Sequence, residues 1–182
     1  MIPGQKIQLH ALESEHLKQA NAWVNDQDIQ QWLTLPQPVP LRATETWYQQ
    51  MADSDADHVF AIYTNRNRHI GNIGLHNIDW KNRHAELGIC IGEKYYLGRG
   101  YGEDAIHALL RFAFDELNLH RVHLKFFAGN NRAQSCYLKC GFKKEGVHRH
   151  ALFRKGVFHD AVAMGILDTE FRRLEKKHND PK

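Results

Sequence analysis

The apolar positions along the chain change period several times, and each change marks an element. Ile7 to Leu12 alternates apolar and polar residues as a half-buried strand does. Behind Ser14, a residue type that caps helix starts, Leu17, Ala20 and Val24 fall at helical spacing. Three prolines between Leu35 and Pro40 break the pattern into a loop, and Thr44 to Met51 then reads as a helix. His58 to Tyr63 and Ile70 to Ile78, joined by the polar turn from Asn65 to Arg68, predict a hairpin.

His84 to Ile91 is the next strand, with Ala85, Leu87, Ile89 and Ile91 on one face and Glu86, Gly88 and Cys90 on the other. Past a glycine-rich loop, Ile106, Leu109, Leu110, Ala113 and Leu117 follow the spacing of an amphipathic helix over Glu103 to Leu117. Arg121 to Phe127 predicts a strand, Arg132 to Cys140 a helix and Phe142 to His150 a strand. A turn from Arg154 to Val157, centred on Lys155 and Gly156, leads into a last strand to Ile166, and a short, fraying helix follows from Asp168. This order predicts an α/β (α+β) chain: one domain over residues 1–182, with a core at 7–171 and a charged tail at 172–182. Its mixed, mostly antiparallel sheet of about seven strands carries helices on both faces, and one parallel step crosses the Glu103 to Leu117 helix.

Composition narrows the class without changing the fold. With 182 residues, 42% hydrophobic and 25% charged, the chain is long enough for a core that needs no staples. Its apolar runs are far shorter than the roughly 20 residues of a membrane span, and its first ten residues are too polar for a secretory signal. Three cysteines, Cys90, Cys136 and Cys140, form no disulfide framework and point to a reducing, cytoplasmic compartment. A net charge of +3 suits an anionic ligand, but Arg172, Arg173, Lys176 and Lys177 read as a solvated helix face, and nucleic acid is not the expected partner. The 13 histidines include no metal-binding spacing, so no metal is expected.

The chemistry concentrates in Tyr96-Leu97-Gly98-Arg99-Gly100-Tyr101-Gly102, between a strand and a helix. Glycines let backbone N–H groups approach a ligand, and the following helix N-terminus adds partial positive charge, which together suit a pyrophosphate. A dinucleotide fingerprint would need other glycine spacing and an acidic residue after the next strand, and a P-loop would need Gly-Lys-Ser/Thr. A tight turn without a ligand would also use these glycines.

The segment resembles the acetyl-CoA signature of the GNAT superfamily, R/Q-x-x-G-x-G/A, with Gly100 and Gly102 at its small positions and Leu97 where the signature has Arg or Gln. Asn130-x-x-Ala133-x-x-x-Tyr137-x-Lys139-x-Gly141-Phe142 resembles the second cofactor motif of that superfamily, and His159-Asp160-x-x-x-Met164-Gly165 the closing strand of its ribosomal-protein and polyamine branch. The resemblance implies direct transfer of acetyl from acetyl-CoA, as co-substrate, to a bound amine. The cofactor would lie against Ile89, Cys90, Ile91, Leu97, Gly98, Arg99, Gly100, Tyr101, Gly102, Asn130 and Ala133. Backbone N–H groups near Ile89 to Ile91 would face the acetyl carbonyl, with Gly88 permitting a local bulge. Arg99 would supply charge in place of Leu97. Tyr137 stands where the superfamily places its general acid. Asn130 would bind the pantetheine arm or cap its helix.

Glu86 is the candidate base, directly or through water, because it shares a strand face with Gly88 and Cys90; a structural ion pair is the competing reading. Cys136 and Cys140 read as small buried hydrophobes, and Cys90 has no His–Asp/Asn partner at a spacing that would make it a nucleophile. Trp23, Trp32, Trp47 and Tyr48 would form an aromatic acceptor wall or join the core, and Asp26 and Asp28 are possible cation contacts. Polyamine enzymes of this branch carry acids where Trp32 to Pro40 has none, and Gly74 lies at another such place, so a protein or peptide N-terminal amine is the favoured acceptor over a polyamine or aminoglycoside. The rival reading is a non-catalytic module that binds acetyl-CoA or RNA. A homodimer is common in the superfamily.

Overall fold

The alternation of residues 58–91 becomes three consecutive antiparallel strands in the computed structural model, which describes residues 1–35 and 38–179. In chain order the strands are β1 (Ile2–Pro3), β2 (Ile7–Ala11), β3 (His58–Thr64), β4 (His69–Asp79), β5 (His84–Ile91), β6 (Arg121–Phe127), β7 (Lys143–Arg154) and β8 (Val157–Leu167). The helices are α1 (Leu17–Val24), α2 (Gln27–Gln30), α3 (Leu41–Ala52), α4 (Tyr101–Arg111), α5 (Asn131–Lys139) and α6 (Asp168–Asn179). One sheet runs β1-β2-β3-β4-β5-β6-β8-β7, and every pairing is antiparallel except β5 with β6. That parallel step needs a crossover, which α4 supplies.

The two faces of the sheet are covered differently. On one, α4 lays Ala105, Ile106, Leu109 and Leu110, all at 0% exposure, against Ile73, Leu75, Leu87, Val122 and Leu124. Each fully buried Leu or Ile contributes about 2 kcal/mol relative to an exposed one. Tyr137 of α5 and Phe171 of α6 extend this core. On the other face, Leu17 of α1 packs with Leu12, Val59 and Ala61, and Tyr48 and Met51 of α3 close over them. That cover spans β2 to β4 only. On β5 and β6 the same face carries Glu86, Arg121, His123 and Lys125.

Several expectations are corrected in detail. The sheet has eight strands among the described residues, not about seven; Ile2–Pro3 is too short to show a period but pairs with Leu9 and Gln8. Ser14 does not cap the first helix. Glu13 holds the cap position of a single 3-10 turn, and its N–H donates to His16 Nδ1 at 2.8 Å. Trp23, not Val24, is the buried residue at the end of α1. α4 starts at Tyr101 and continues as a π-helical turn from Phe112 to Glu116. α6 runs to 12 residues, longer than the short helix expected, and is anchored by Phe171. The predicted loop from Leu35 to Pro40 falls partly outside the described residues.

The N-terminal turn is fastened to α4 by one side chain. Both oxygens of Asp104 accept backbone N–H groups, from Gln5 at 3.0 Å, Lys6 at 2.7 Å and Ile7 at 3.1 Å. A carboxylate holding three amides is a charge-assisted clamp. Asp104→Ala is expected to cost about 2 kcal/mol and to lower the melting temperature by roughly 4–8 °C, measured by calorimetry. An unchanged midpoint would show that water replaces the clamp at no cost.

A second fastening is aromatic. His16 is 6% exposed, and its Nδ1 accepts from Glu13, so its Nε2 carries the proton that the Tyr63 hydroxyl receives at 2.9 Å. His69 stacks on Tyr63 and meets His16 and Trp23 edge-on, with centroids 4.8 to 5.3 Å apart. Burial holds the pKa of His69 below its usual value, as it does that of His123 on β6. Both rings therefore resist protonation when folded and accept it freely when unfolded, near pH 6.5. Their contribution to stability is full above that pH and is lost as pH falls through the lower folded values. Thermal melts between pH 7.5 and 5 are expected to show a falling midpoint, with a shallower slope in His69→Gln; equal slopes would remove His69 from the account.

Candidate active site

The site is an opening in the sheet. β5 and β6 pair through His84–Arg121, Ala85–Val122 and Glu86–His123 and then part, while β5 keeps its β4 partners from Glu86 to Ile91 and β6 keeps its β8 partners to Phe127. Residues 87–91 of β5 thus present one backbone edge to a cleft instead of a strand. Their register with β4 is unbroken through Gly88, so the expected bulge is not there. It lies in β4 between His76 and Asp79, where Asn77 takes a φ of +51°.

The glycine loop stands at the mouth of this cleft. Gly98 and Gly100 adopt φ of +70° and +84°, conformations that side chains rarely take, and no side chain caps the start of α4 at Gly100. Its first-turn N–H groups therefore face outward with the positive end of the helix dipole. A Cβ on Gly102 would lie 3.7 Å from Ile91, 3.9 Å from Ile89 and 3.9 Å from Cys136 Sγ, so the loop, the tip of β5 and α5 meet there. The geometry fits a pyrophosphate followed by a thin arm running along β5. Leu97 is half-buried with its N–H bound to Lys94 O at 3.1 Å. Arg99 is exposed, and its guanidinium stacks 3.9 Å over the Tyr95 ring. The cation nearest the turn is Lys6, whose Nζ donates to Arg99 O at 3.2 Å and would sit 3.0 Å from a Cβ on Gly100. Nothing in the sequence pattern singled out Lys6, because the Asp104 clamp brings it there from the other end of the chain.

Tyr137, on the α5 side of the cleft, is 9% exposed and packs against Phe126 and Phe142, with centroids 5.4 and 5.9 Å away. Burial pushes its phenol well above the usual value, so it stays protonated throughout the neutral range. Burial likewise pushes the Cys90 thiol up to about 12, which makes it inert rather than nucleophilic. Asn130 caps α5, its Oδ1 accepting from Ala133 N–H at 3.2 Å. Among the described residues, no group of three or more His, Cys, Asp or Glu is arranged to hold a metal, and no helix is long and apolar enough to cross a membrane.

The opposite, open face of the sheet carries the polar residues. Glu86 is half-buried, cross-strand from His76 on β4 and beside His123 on β6, with no hydrogen-bond partner among the described residues. His76 Nδ1 lies 3.0 Å from Asp57 Oδ1, and Asp57 Oδ2 accepts from Ser54 Oγ at 3.0 Å. Asp26 and Asp28 already hold a cation of the chain itself. Lys94 bridges them at 2.9 and 2.5 Å, and that ion pair holds the carboxyl of Asp26 below its usual pKa.

The tryptophans do not form one wall. Trp23 fills the space over Gly92, where a Cβ would collide with the indole, while Trp32 is half-buried after α2 and Trp47 is exposed on α3. Arg154, at the end of β7, reaches the α2 segment, donating to Gln30 O at 2.6 Å and to Leu33 O, with its guanidinium 5.5 Å from the Phe127 ring. That latch closes the far side of the acceptor face. A shallow depression of about 640 Å³ lined by Asn25, Gln30, Pro38, Val39 and Pro40 lies beside it, away from the glycine loop.

Comparison with known proteins meets this geometry. A putative ribosomal N-acetyltransferase of Bacillus subtilis is 34% identical over 69% of this chain and 67% of its own length. A spermidine N(1)-acetyltransferase of Vibrio cholerae is 28% identical over 92% and 96%. The crystal structure of spermidine N-acetyltransferase from Vibrio cholerae in complex with CoA and spermine superposes with a TM-score of 0.86 at 26% identity, covering 92% of this chain and 98% of that one. Residues 6–143 match the family model of the acetyltransferase (GNAT) domain. The chain belongs to the GNAT family of acetyl-CoA-dependent N-acetyltransferases.

Proposed function

We propose that the acceptor is a primary alkyl amine of the polyamine class. The observation that carries this reading is the likeness over nearly the whole chain to a spermidine acetyltransferase in complex with CoA and spermine. It replaces the N-terminal amine that the sequence favoured. The open face of the sheet supports it, because Glu86 of β5 and Asp57, which meets His76 of β4, place carboxylates near the start of the cleft. A peptide N-terminus remains as a second reading: the B. subtilis relative is the more identical one, and Lys94 already neutralises Asp26 and Asp28.

In this reading the glycine loop and Lys6 hold the pyrophosphate, and the thioester lies along residues 89–91. The β5 backbone edge stabilises the oxyanion. Tyr137 then protonates the leaving sulfur. In water a phenol near 10 is a weaker acid than a thiol near 8.5. Both groups are desolvated in the cleft, and burial raises the Cys90 thiol there as it raises the phenol, so donation to an unsolvated thiolate is not prohibitive. On the other side of the thioester, Glu86 and His76 stand where the amine must give up a proton.

Release of free thiol from acetyl-CoA is the direct assay, with spermidine, lysine, an aminoglycoside and peptides beginning in Ala, Ser or Met as acceptors. Turnover on spermidine is expected to exceed that on the peptides, and Tyr137→Phe is expected to lose at least tenfold in kcat with little change in acetyl-CoA affinity. Preference for the peptides would establish the second reading. Separately, Lys6→Ala is expected to raise the acetyl-CoA Kd by roughly five- to tenfold and to weaken its salt dependence, measured by calorimetry at two ionic strengths. An unchanged Kd would leave the grip to the backbone alone.

A further inference from the structure

We infer that His76, held by Asp57, is the catalytic base that deprotonates the acceptor amine. The inference rests on the acetyltransferase reading of the cleft and names the residue that reading leaves open. Its ground is geometric. The segment before β3 is pinned to β4 at three places: Ile78 N–H donates to Ala56 O at 2.9 Å, Trp80 Nε1–H to Asp55 O at 3.2 Å, and His76 meets Asp57 at 3.0 Å. Ser54 Oγ donates to the second oxygen of Asp57 at 3.0 Å and itself receives the Ala56 N–H at 3.1 Å, so the carboxylate is fixed from both ends.

An ionised carboxylate only accepts, so Nδ1 of His76 donates and Nε2 of the neutral ring keeps its lone pair. Nε2 lies over the strand pair between two glycines. A Cβ on Gly74 or on Gly88 would stand 3.2 Å from it. Any larger residue at either position would crowd the imidazole. Gly88 is therefore small to make room for a ring rather than to bulge the strand. The bulge that follows His76 in β4 bends the strand immediately beyond it.

This places Nε2 level with Gly88, past the last β5–β6 pair and at the threshold of the cleft, on the face away from Tyr137. Glu86 sits one step lower, where the strands are still joined. The titratable and charged groups that share this face include Asp57 before β3, Asp79 on β4, His84 and Glu86 on β5, and Arg121, His123 and Lys125 on β6, with Glu145 of β7 paired to Arg121.

The step balances as follows. Nε2 takes one proton from the alkylammonium, and the freed nitrogen pair forms the N–C bond to the acetyl carbonyl, whose π pair moves onto oxygen. Collapse restores C=O and breaks C–S. The sulfur takes the Tyr137 proton, the phenolate recovers the second amine proton, and the imidazolium releases its own to solvent. The net products are amide, thiol and one proton.

The test is the pH dependence of kcat/KM for acetyl transfer to spermidine, or to whichever panel amine turns over, in wild type, His76→Gln, Asp57→Asn and Glu86→Gln. Acetyl-CoA affinity and melting temperature are measured alongside. At pH 7, His76→Gln is expected to lose at least a hundredfold and Asp57→Asn about tenfold, with acetyl-CoA binding intact. The wild-type profile should carry an ionisation that His76→Gln lacks. That of His76→Gln should keep rising toward the amine's own pKa, about 10.4 for an alkyl amine, so the gap narrows at alkaline pH. A loss in Glu86→Gln larger than that in His76→Gln would assign the base to Glu86 and overturn the inference. If His76→Gln does not fold, Asp57→Asn, which leaves the imidazole in place, reads the same claim by its loss and its altered profile. An active wild type with His76→Gln within threefold of it, or Asp57→Asn with an unchanged profile, overturns the base and leaves the acetyltransferase standing. A wild type that releases thiol with no amine overturns both.

Discussion

The separation of β5 from β6 is the constraint on which the other features depend. Every other strand junction is antiparallel, and all but the two-residue pairing of β1 with β2 run further than this one. The sole parallel junction stops after three residue pairs, although both strands continue. Ending a pairing inside a sheet leaves backbone N–H and C=O groups without ladder partners in a sheltered place, which folded proteins tolerate only where water or a ligand satisfies them. The fold meets the cost of that opening locally. α4 crosses the gap with five residues at 0% exposure, and β8 stays paired to the full length of β6. The two arms are thus each held rigidly by the rest of the sheet, and a thin extended molecule can lie between them as a surrogate strand.

The opening also divides the chemistry between two faces. Toward α4 and α5 lie the glycine loop, Ile89, Ile91, Cys136 and Tyr137, an apolar setting apart from the loop's amides. Toward the open face lie Glu86, His76, His123 and their partners, an ionic setting. A thioester in the gap would meet an acid from one side and a base from the other, so proton delivery to sulfur and proton removal from nitrogen need not compete for one group. The environments tune the two in opposite directions of use: burial keeps Tyr137 protonated, and a carboxylate partner orients the imidazole of His76.

Much of this was legible in the sequence, and what was missed shares one cause. Strand β5 has the bounds its alternation predicts, and Gly98 and Gly100 adopt the left-handed conformations their clustering implied. Those features are local. Lys6 reaches the cofactor loop only because Asp104 clamps the N-terminal turn, and Asp57 reaches His76 only because a loop folds back onto β4. Neither contact has a period or a spacing. Gly88 was recognised as special for the wrong reason, since its meaning lies in a ring from the neighbouring strand. Asp26 and Asp28 looked like free anions because Lys94, their partner, comes from beyond β5. Ser14 has the residue type of a cap, but the buried ring of His16 decides where the turn begins.

The ion triad of Lys94 with Asp26 and Asp28 bears most directly on how an acceptor is chosen. Two carboxylates at the end of α1 and the start of α2 would be the obvious seat for one ammonium of a polycation, yet an ammonium of the chain's own already sits there. All three side chains keep substantial exposure, so the pair interactions are worth little in water and exchange with a soluble cation is not forbidden. Arg154 meanwhile donates to two carbonyls of the same α2 segment, Gln30 O and Leu33 O, from a half-buried position where losing the bonds would leave charged donors unsatisfied. The α2 segment is therefore fastened firmly at one end by Arg154 and loosely at the other by Lys94. In the proposed reading, an acceptor with several ammonium groups would compete at the loose end while its reacting nitrogen lay at His76. A peptide N-terminus, with one ammonium, gains nothing from that exchange and must be selected by the half-buried Trp32 and the rest of the α2 surface.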